Sequence, residues 1–199
     1  MLKSISRKVA KGNAKNANES WRPLRWNFAP LREIATLREM NRPDFEDIYM
    51  ELAVNLAKRS HCIKRHVGAV LTKDTRIISI GYNGPPSGTH NCDEEWPETG
   101  CPQSSKGGCS LAIHAEQNAI LYAVKNKTSV DGATLYVTLS PCLACARIIF
   151  STGISKVIYL NSYAKHKNLP NDEGVDFLNK FGIPCRRYEG TLTNVTHMI

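Results

Sequence analysis

No apolar run in this 199-residue chain approaches the ~20 residues that a membrane-spanning helix needs, so no membrane contact is expected. The first residues also lack the apolar stretch and small-residue cleavage site of a secretory signal. The expected compartment is therefore the reducing cytoplasm. The seven cysteines (Cys62, Cys92, Cys101, Cys109, Cys142, Cys145 and Cys185) then read as metal ligands or reduced thiols rather than disulfides. No internal repeat is visible. Acidic residues are scarce at one end: none precedes Glu19, and residues 1–43 hold three acids against ten Lys/Arg, a net +7 of the chain's +8. The other 156 residues hold 16 basic and 15 acidic side chains. The basic character thus belongs to an N-terminal extension, and nucleic-acid binding by the body is not implied.

What is present divides into that extension, residues 1–43, and a body, residues 44–199. The extension carries "WRPLRWNFAPL", with Trp21, Trp26 and Phe28 among arginines. It reads as an arm that docks on another subunit; a mobile tail and a mitochondrial targeting segment are the alternatives. The body opens on a helix that Asp44 can cap, with Phe45, Ile48, Leu52 and Leu56 at helical spacing. "VGAVLTKDTRIISIGYNG" reads as two strands joined by a tight turn around Lys73–Thr75. A loop spanning 84–110, rich in Gly, Pro, Ser and Cys, is too long to lack a function or a staple.

Further on, strands are expected at 132–139, 156–160 and near Ile183–Tyr188. Helices are expected after Ala112, from Ser140–Pro141, and over "NDEGVDFLNKFG", where Val175, Leu178 and Phe181 share a face. Strands alternating with helices predict an α/β domain, a three-layer α/β/α sandwich with a mixed sheet of about five strands.

Two stretches carry chemistry. In "AIHAEQNAIL", His114 and Glu116 stand two apart at the mouth of an apolar helix. Residues i and i+2 do not share a face within a helix, so they converge only where the helix begins and a ligand sits against its N-terminus. In "SPCLACA", Ser140 reads as an N-cap, Pro141 as the first helical residue, and Cys142 and Cys145 as a pair on one face. Two thiolates at that spacing, beside a helix N-terminus that favours negative charge, make half of a zinc site; His114 supplies the third ligand. Three protein ligands leave a fourth position open for water, the mark of a catalytic zinc. Glu116 is then free to shuttle a proton rather than ligate.

The pattern His-x-Glu … Pro-Cys-x-x-Cys is that of the zinc deaminases. The stretch from about Asp44 to Tyr188 resembles the deoxycytidylate (dCMP) deaminases, a branch of the cytidine deaminase-like fold. The resemblance rests on "VGAVLTKDTRIISIGYNGPPSG", "HAEQNAI", "SPCLACA" and "VIYLNSY". It implies hydrolytic deamination of dCMP to dUMP and ammonia, feeding dTMP synthesis, with Zn2+ on His114, Cys142 and Cys145 and Glu116 as proton shuttle. It also implies that Asn83 binds the nucleotide, where the alternative is a turn residue tolerating positive φ. Ala115 and Ser140 are placed beside the substrate, and Arg65 and Tyr163 near its phosphate. Partners implied are a pyrimidine deoxynucleotide, dCTP and dTTP as effectors, and further copies of the chain, as a hexamer. The competing readings are a polynucleotide or tRNA deaminase and a deaminase-fold subunit of a larger assembly.

Cys62 and Cys92 match positions that hold a second, structural zinc in phage members of that family. The family's further ligands are missing, and Ala112 stands where a glutamate would. Cys101 and Cys109 in the same loop complete a four-cysteine set, with His61 and His90 as substitutes. Four separate reduced thiols are the alternative.

Overall fold

The computed structural model describes residues 42–102, 104, 109–164 and 170–192. Residues 1–41, nearly all of the N-terminal extension, lie outside the described residues. The order is α1 (Phe45–Ala57), β1 (Gly68–Lys73), β2 (Arg76–Tyr82), α2 (Cys92–Glu95), α3 (Ala115–Lys125), β3 (Thr134–Leu139), α4 (Leu143–Ser151), β4 (Lys156–Asn161), α5 (Glu173–Lys180) and β5 (Cys185–Arg187). The five strands form one sheet in the order β2-β1-β3-β4-β5. β1 runs antiparallel to β2 and β3, whereas β3, β4 and β5 are parallel. The expected mixed sheet is therefore present. No helix among the described residues is long and apolar enough to cross a membrane.

Strand alternation assigns the two faces. Ala69, Leu71, Leu135, Val137 and Val157 point to one core, which α3, α4 and α5 complete with Ala119, Ile149 and Leu178. Val70, Tyr136 and Ile158 point to the other, which α1 covers with Tyr49, Met50 and Ala53. The β1–β2 turn uses Asp74 and Thr75, both at positive φ (49° and 61°), the geometry of a hairpin turn matched to strand twist.

Three local expectations need correcting. The buried stripe of α1 is Tyr49, Met50, Ala53, Val54 and Ala57, while Phe45 is 56% exposed and Ile48 40%. The small Ala53 and Ala57 win because they let the helix backbone touch β1: a methyl added at Gly68 would collide with the Ala53 carbonyl oxygen. Phe181 caps α5 and is exposed, its ring tilted against Phe150 and Phe177 rather than in the core. The third, the start of α4, belongs to the site.

Candidate metal centre and active site

α3 begins at Ala115 with His114 as its N-cap, so the imidazole projects from the helix mouth while Glu116 sits in the first turn. The Gln117 side chain accepts a hydrogen bond from the His114 N–H (3.3 Å), fixing that mouth. β2 presses on the helix from behind, where a side chain at Gly81 would strike the Ala115 carbonyl and the Ala119 N–H. Asn118 donates to the Tyr82 carbonyl (2.9 Å) and Ser79 to the Ala119 carbonyl (2.6 Å), tying helix to strand.

At the end of β3 the chain turns through Ser140 and Pro141 into α4. The helix starts at Leu143 with Cys142 as N-cap, two residues later than Ser140 as N-cap would require. The reason is tertiary. The Ser140 hydroxyl donates to Asp172 (3.0 Å) and accepts from the Tyr163 N–H (2.7 Å), so it is not available to cap α4. Cys142 and Cys145 are therefore N-cap and first-turn residues rather than two points on a helical face.

His114 faces both thiols through Nδ1, at 3.6 Å from the Cys142 Sγ and 3.3 Å from the Cys145 Sγ. Metal bonds of about 2.3 Å to sulfur and 2.0–2.1 Å to nitrogen, at a tetrahedral angle, separate such atoms by about 3.6 Å. The three side chains thus fit a zinc ion without rearrangement, and their ligand atoms all lie within 4.8 Å of one another. His114 is exposed, Cys142 half-buried and Cys145 buried, leaving one side of the site open. An open side is what a fourth, exchangeable ligand needs.

The electrostatics agree with that chemistry. The Cys142 thiol is held down at about 4, first by the hydrogen bond from Cys145 and also by His114. Cys145, the donor in that pair and buried, is pushed up. The hydrogen bond to Cys142, with the charge of Glu116, raises His114 against the effect of its burial. A dication takes the place of these protons, since metal binding releases them from its ligands. Glu116 is buried, and burial pushes its carboxyl up to about 7, against the opposing charge of His114. A carboxyl near neutrality is suited both to accept and to donate a proton.

Around this centre, Asn83 is buried, and its backbone is not in the left-handed region. The turn explanation for this residue therefore fails. Its side chain accepts from the Val67 N–H (2.7 Å) and donates to the Arg65 carbonyl (2.9 Å), holding the 65–67 segment. Arg65 in turn lies over the Tyr163 ring, 5.2 Å from guanidinium carbon to centroid, so two residues 98 positions apart meet. Ala115 is fully buried at the start of α3. Sequence reasoning read Asp172 only as part of a helix-forming stretch. Its partners Ser140 and Ser162 lie 32 and 10 residues away, a relation no local pattern displays.

The loop cysteines influence one another: Cys101 and Cys92 lower Cys109, and Cys109, Cys62 and Cys101 raise Cys92. Among the described residues they do not form a close-set group of the kind made by His114, Cys142 and Cys145. Burial pushes Cys92 up to about 11. At Cys109 burial is opposed and outweighed by the N–H groups of Leu111 and Ala112 and by the two thiols, and its pKa is lowered. The loop is not without regular structure, since α2 begins at Cys92. His61 bonds Asp93 (3.0 Å) and His90 lies 3.9 Å from Glu95, so both imidazoles are turned toward carboxylates.

Residues 44–161 match the model of the cytidine and deoxycytidylate deaminase zinc-binding region. The chain belongs to this family. Among its relatives, the deoxycytidylate deaminase of Saccharomyces cerevisiae is 37% identical over 75% of this chain and 46% of its own length. That of Mycobacterium phage D29 is 39% identical over 60% of this chain and 97% of its own. The chain thus spans about half the length of the yeast relative and nearly all of the phage one. A solved dCMP deaminase of the cyanophage S-TIM5, in complex with dCMP and dUMP, is 32% identical, with a TM-score of 0.61, covering 74% of this chain and 98% of that one. As a deaminase-family member, the chain keeps His114, Cys142 and Cys145 in one cluster with Glu116 beside it.

Proposed function

We propose that this protein catalyses the hydrolytic deamination of dCMP, in which water adds at C4 of cytosine and the amine leaves as ammonia, giving dUMP. The observation that carries it is the convergence of His114, Cys142 and Cys145 with a buried, near-neutral Glu116 at their side. The relatives named deoxycytidylate deaminase, and the dCMP and dUMP held by the cyanophage protein, support the choice of substrate. When bound, zinc supplies a Lewis acid that lowers the pKa of a coordinated water to about 7. Glu116 takes one proton from the attacking water and delivers it to N3 of the ring. It then takes the second from the hydroxyl now on C4 and passes it to the departing amine, which leaves as ammonia. Its burial beside the ligands supports that shuttle, because solvent does not compete for the proton.

The nucleotide's remaining contacts are assigned from the neighbours of the centre. Ala115 walls the base pocket and Asn83 binds the sugar side. Ser140 lies behind the substrate with its hydroxyl held by Asp172 and the Tyr163 N–H, and Arg65 with Tyr163 receives the monophosphate, the guanidinium supplying charge and donors. The mutual influence of Cys92, Cys101 and Cys109, with Cys62 acting on Cys92, supports a second, structural zinc on these four thiols that pins the 84–110 loop. The aromatic and arginine content of residues 1–43 supports an arm joining copies of the chain in a hexamer. Regulation by dCTP and dTTP at the "GYNGPPSG" loop, and a cytoplasmic location, complete the reading.

The test is ammonia release from dCMP, dCTP, deoxycytidine, single-stranded DNA and tRNA under one set of conditions. dCMP is expected to be the preferred substrate. Deamination of a polynucleotide without turnover of dCMP would overturn the proposal.

A further inference from the structure

The carboxylate of Asp172 gathers three donors from two separate segments. It accepts from the Ser140 hydroxyl (3.0 Å) and the Ala164 N–H (2.7 Å) on Oδ1, and from the Ser162 hydroxyl (2.6 Å) on Oδ2. The Ser140 hydroxyl also accepts from the Tyr163 N–H (2.7 Å), and the Ser140 N–H donates to the Asn161 carbonyl (2.7 Å). The turn that delivers Cys142 and the loop that presents Tyr163 are thus joined to one anion. Hydrogen bonds to an ionised acceptor are about twice as strong as neutral ones. The loop cannot shift without breaking several of them together.

A second feature holds the same junction from the other side. Gly174, two residues beyond Asp172, lies in the first turn of α5 against the Pro141 carbonyl, where a side chain would collide. Asp172 is the N-cap residue of α5 but makes no side-chain cap to its own helix. An N-cap Asp that spends its oxygens elsewhere forgoes a stabilising cap on its own helix, which marks the external bonds as the ones the fold favours.

We infer that Asp172 is a positioning residue for nucleotide recognition: by bridging the Ser140 turn to the Ser162–Ala164 loop, it sets the distance between the metal ligands and the Tyr163–Arg65 pair. The inference rests on the proposed dCMP reading, in which that pair meets the phosphate. Asp172 touches neither metal ligand nor reacting atoms; it fixes how far the phosphate contact stands from the ring to be attacked. Its loss therefore falls on the phosphorylated substrate and spares the chemistry of the base.

The experiment compares wild type with Asp172→Ala, Asp172→Asn and Ser162→Ala in the full-length, zinc-loaded protein. KM and kcat are measured for dCMP and for deoxycytidine, with zinc content and thermal midpoint alongside. For Asp172→Ala the KM for dCMP is expected to rise about tenfold or more, as loss of charge-assisted bonds to a positioned group implies, with kcat changed less than about threefold. Deoxycytidine kinetics and zinc content should be little changed, so the preference for dCMP collapses. Asp172→Asn, which keeps one acceptor oxygen, should recover part of the effect, and Ser162→Ala should fall between.

An unchanged KM for dCMP overturns the inference. So does an equal loss on both substrates that follows zinc content or thermal midpoint, because that is a purely structural role. If Asp172→Ala does not fold, the same criteria apply to Ser162→Ala, which leaves the carboxylate in place. Wild type that does not turn over dCMP overturns the underlying reading, and this inference with it. Wild type that turns over dCMP, with variants of unaltered preference, overturns the inference alone.

Discussion

Two regions of this protein are rich in sulfur, and they differ in what surrounds it. His114, Cys142 and Cys145 stand at the starts of α3 and α4, whose positions are imposed by packed glycines, a sheet and one hydrophobic core. Cys62, Cys92, Cys101 and Cys109 belong to connecting segments with one four-residue helix between them. In the first region the fold holds the ligands and a metal would find them ready. In the second the proposed metal would hold the fold. A site held by helices can leave one coordination position to chemistry, whereas a loop site needs every ligand to close it. Burial follows the same division: the reactive centre keeps an exposed imidazole, and three of the four loop cysteines are buried.

That contrast is sharpest at Glu116. Glu116→Gln preserves size and most hydrogen bonding but removes the proton shuttle, so kcat should fall by roughly 10²–10⁴-fold or more with zinc content unchanged. Steady-state kinetics with metal analysis checks this, and near-normal turnover would remove the assigned role. The loop should behave in the opposite sense. Cys101→Ser with Cys109→Ser should lower zinc from two ions per chain to one and reduce the thermal midpoint by at least about 5 °C, since each kcal/mol moves it about 2–4 °C in a domain of this size. Turnover per folded chain should change much less than in Glu116→Gln. One zinc per chain, with an unchanged midpoint, would show that the four thiols are only neighbours. The smallest effect concerns how firmly the fold holds the first site. Gly174→Ala forces the first turn of α5 away from the Pro141 carbonyl, with an expected cost of about 1–3 kcal/mol in denaturant unfolding. An unaltered stability would mean that the junction behind Cys142 is looser than its geometry suggests.

The cluster of His114, Cys142 and Cys145 was legible because its signals are local. His114 and Glu116 precede a run of small apolar residues that buries Ala115, Ala119, Ile120 and Ala123, and the two cysteines follow a strand with a break at Pro141. Where reading by local pattern failed, a distant partner had intervened. Ser140 has the chemistry of an N-cap, but Asp172 and the Tyr163 N–H claim its hydroxyl, and the helix begins at Leu143 instead. Phe45 and Ile48 have the right spacing for a core stripe, but the adjacent stripe of smaller residues approaches β1 more closely. The layered architecture was visible in the alternation of elements. The pairing order β2-β1-β3-β4-β5 was not, because it depends on which strands meet across long connections. The same holds for Arg65 and Tyr163: family resemblance placed each near the nucleotide, but only the fold shows that they meet.

The residues of that cluster also have a place in the order of assembly. His114 and Cys145 are 31 residues apart, and one continuous α3–β3–α4 stretch supplies all three ligands. The contact between Glu46 on α1 and Arg186 on β5 joins residues 140 apart. Chain-closure entropy makes the shorter loop about 1.3 kcal/mol easier to close, close to a tenfold bias in population. The three ligands would thus be drawn together early, by closure of their own stretch, and β2 and α5 would later press that stretch into its final shape.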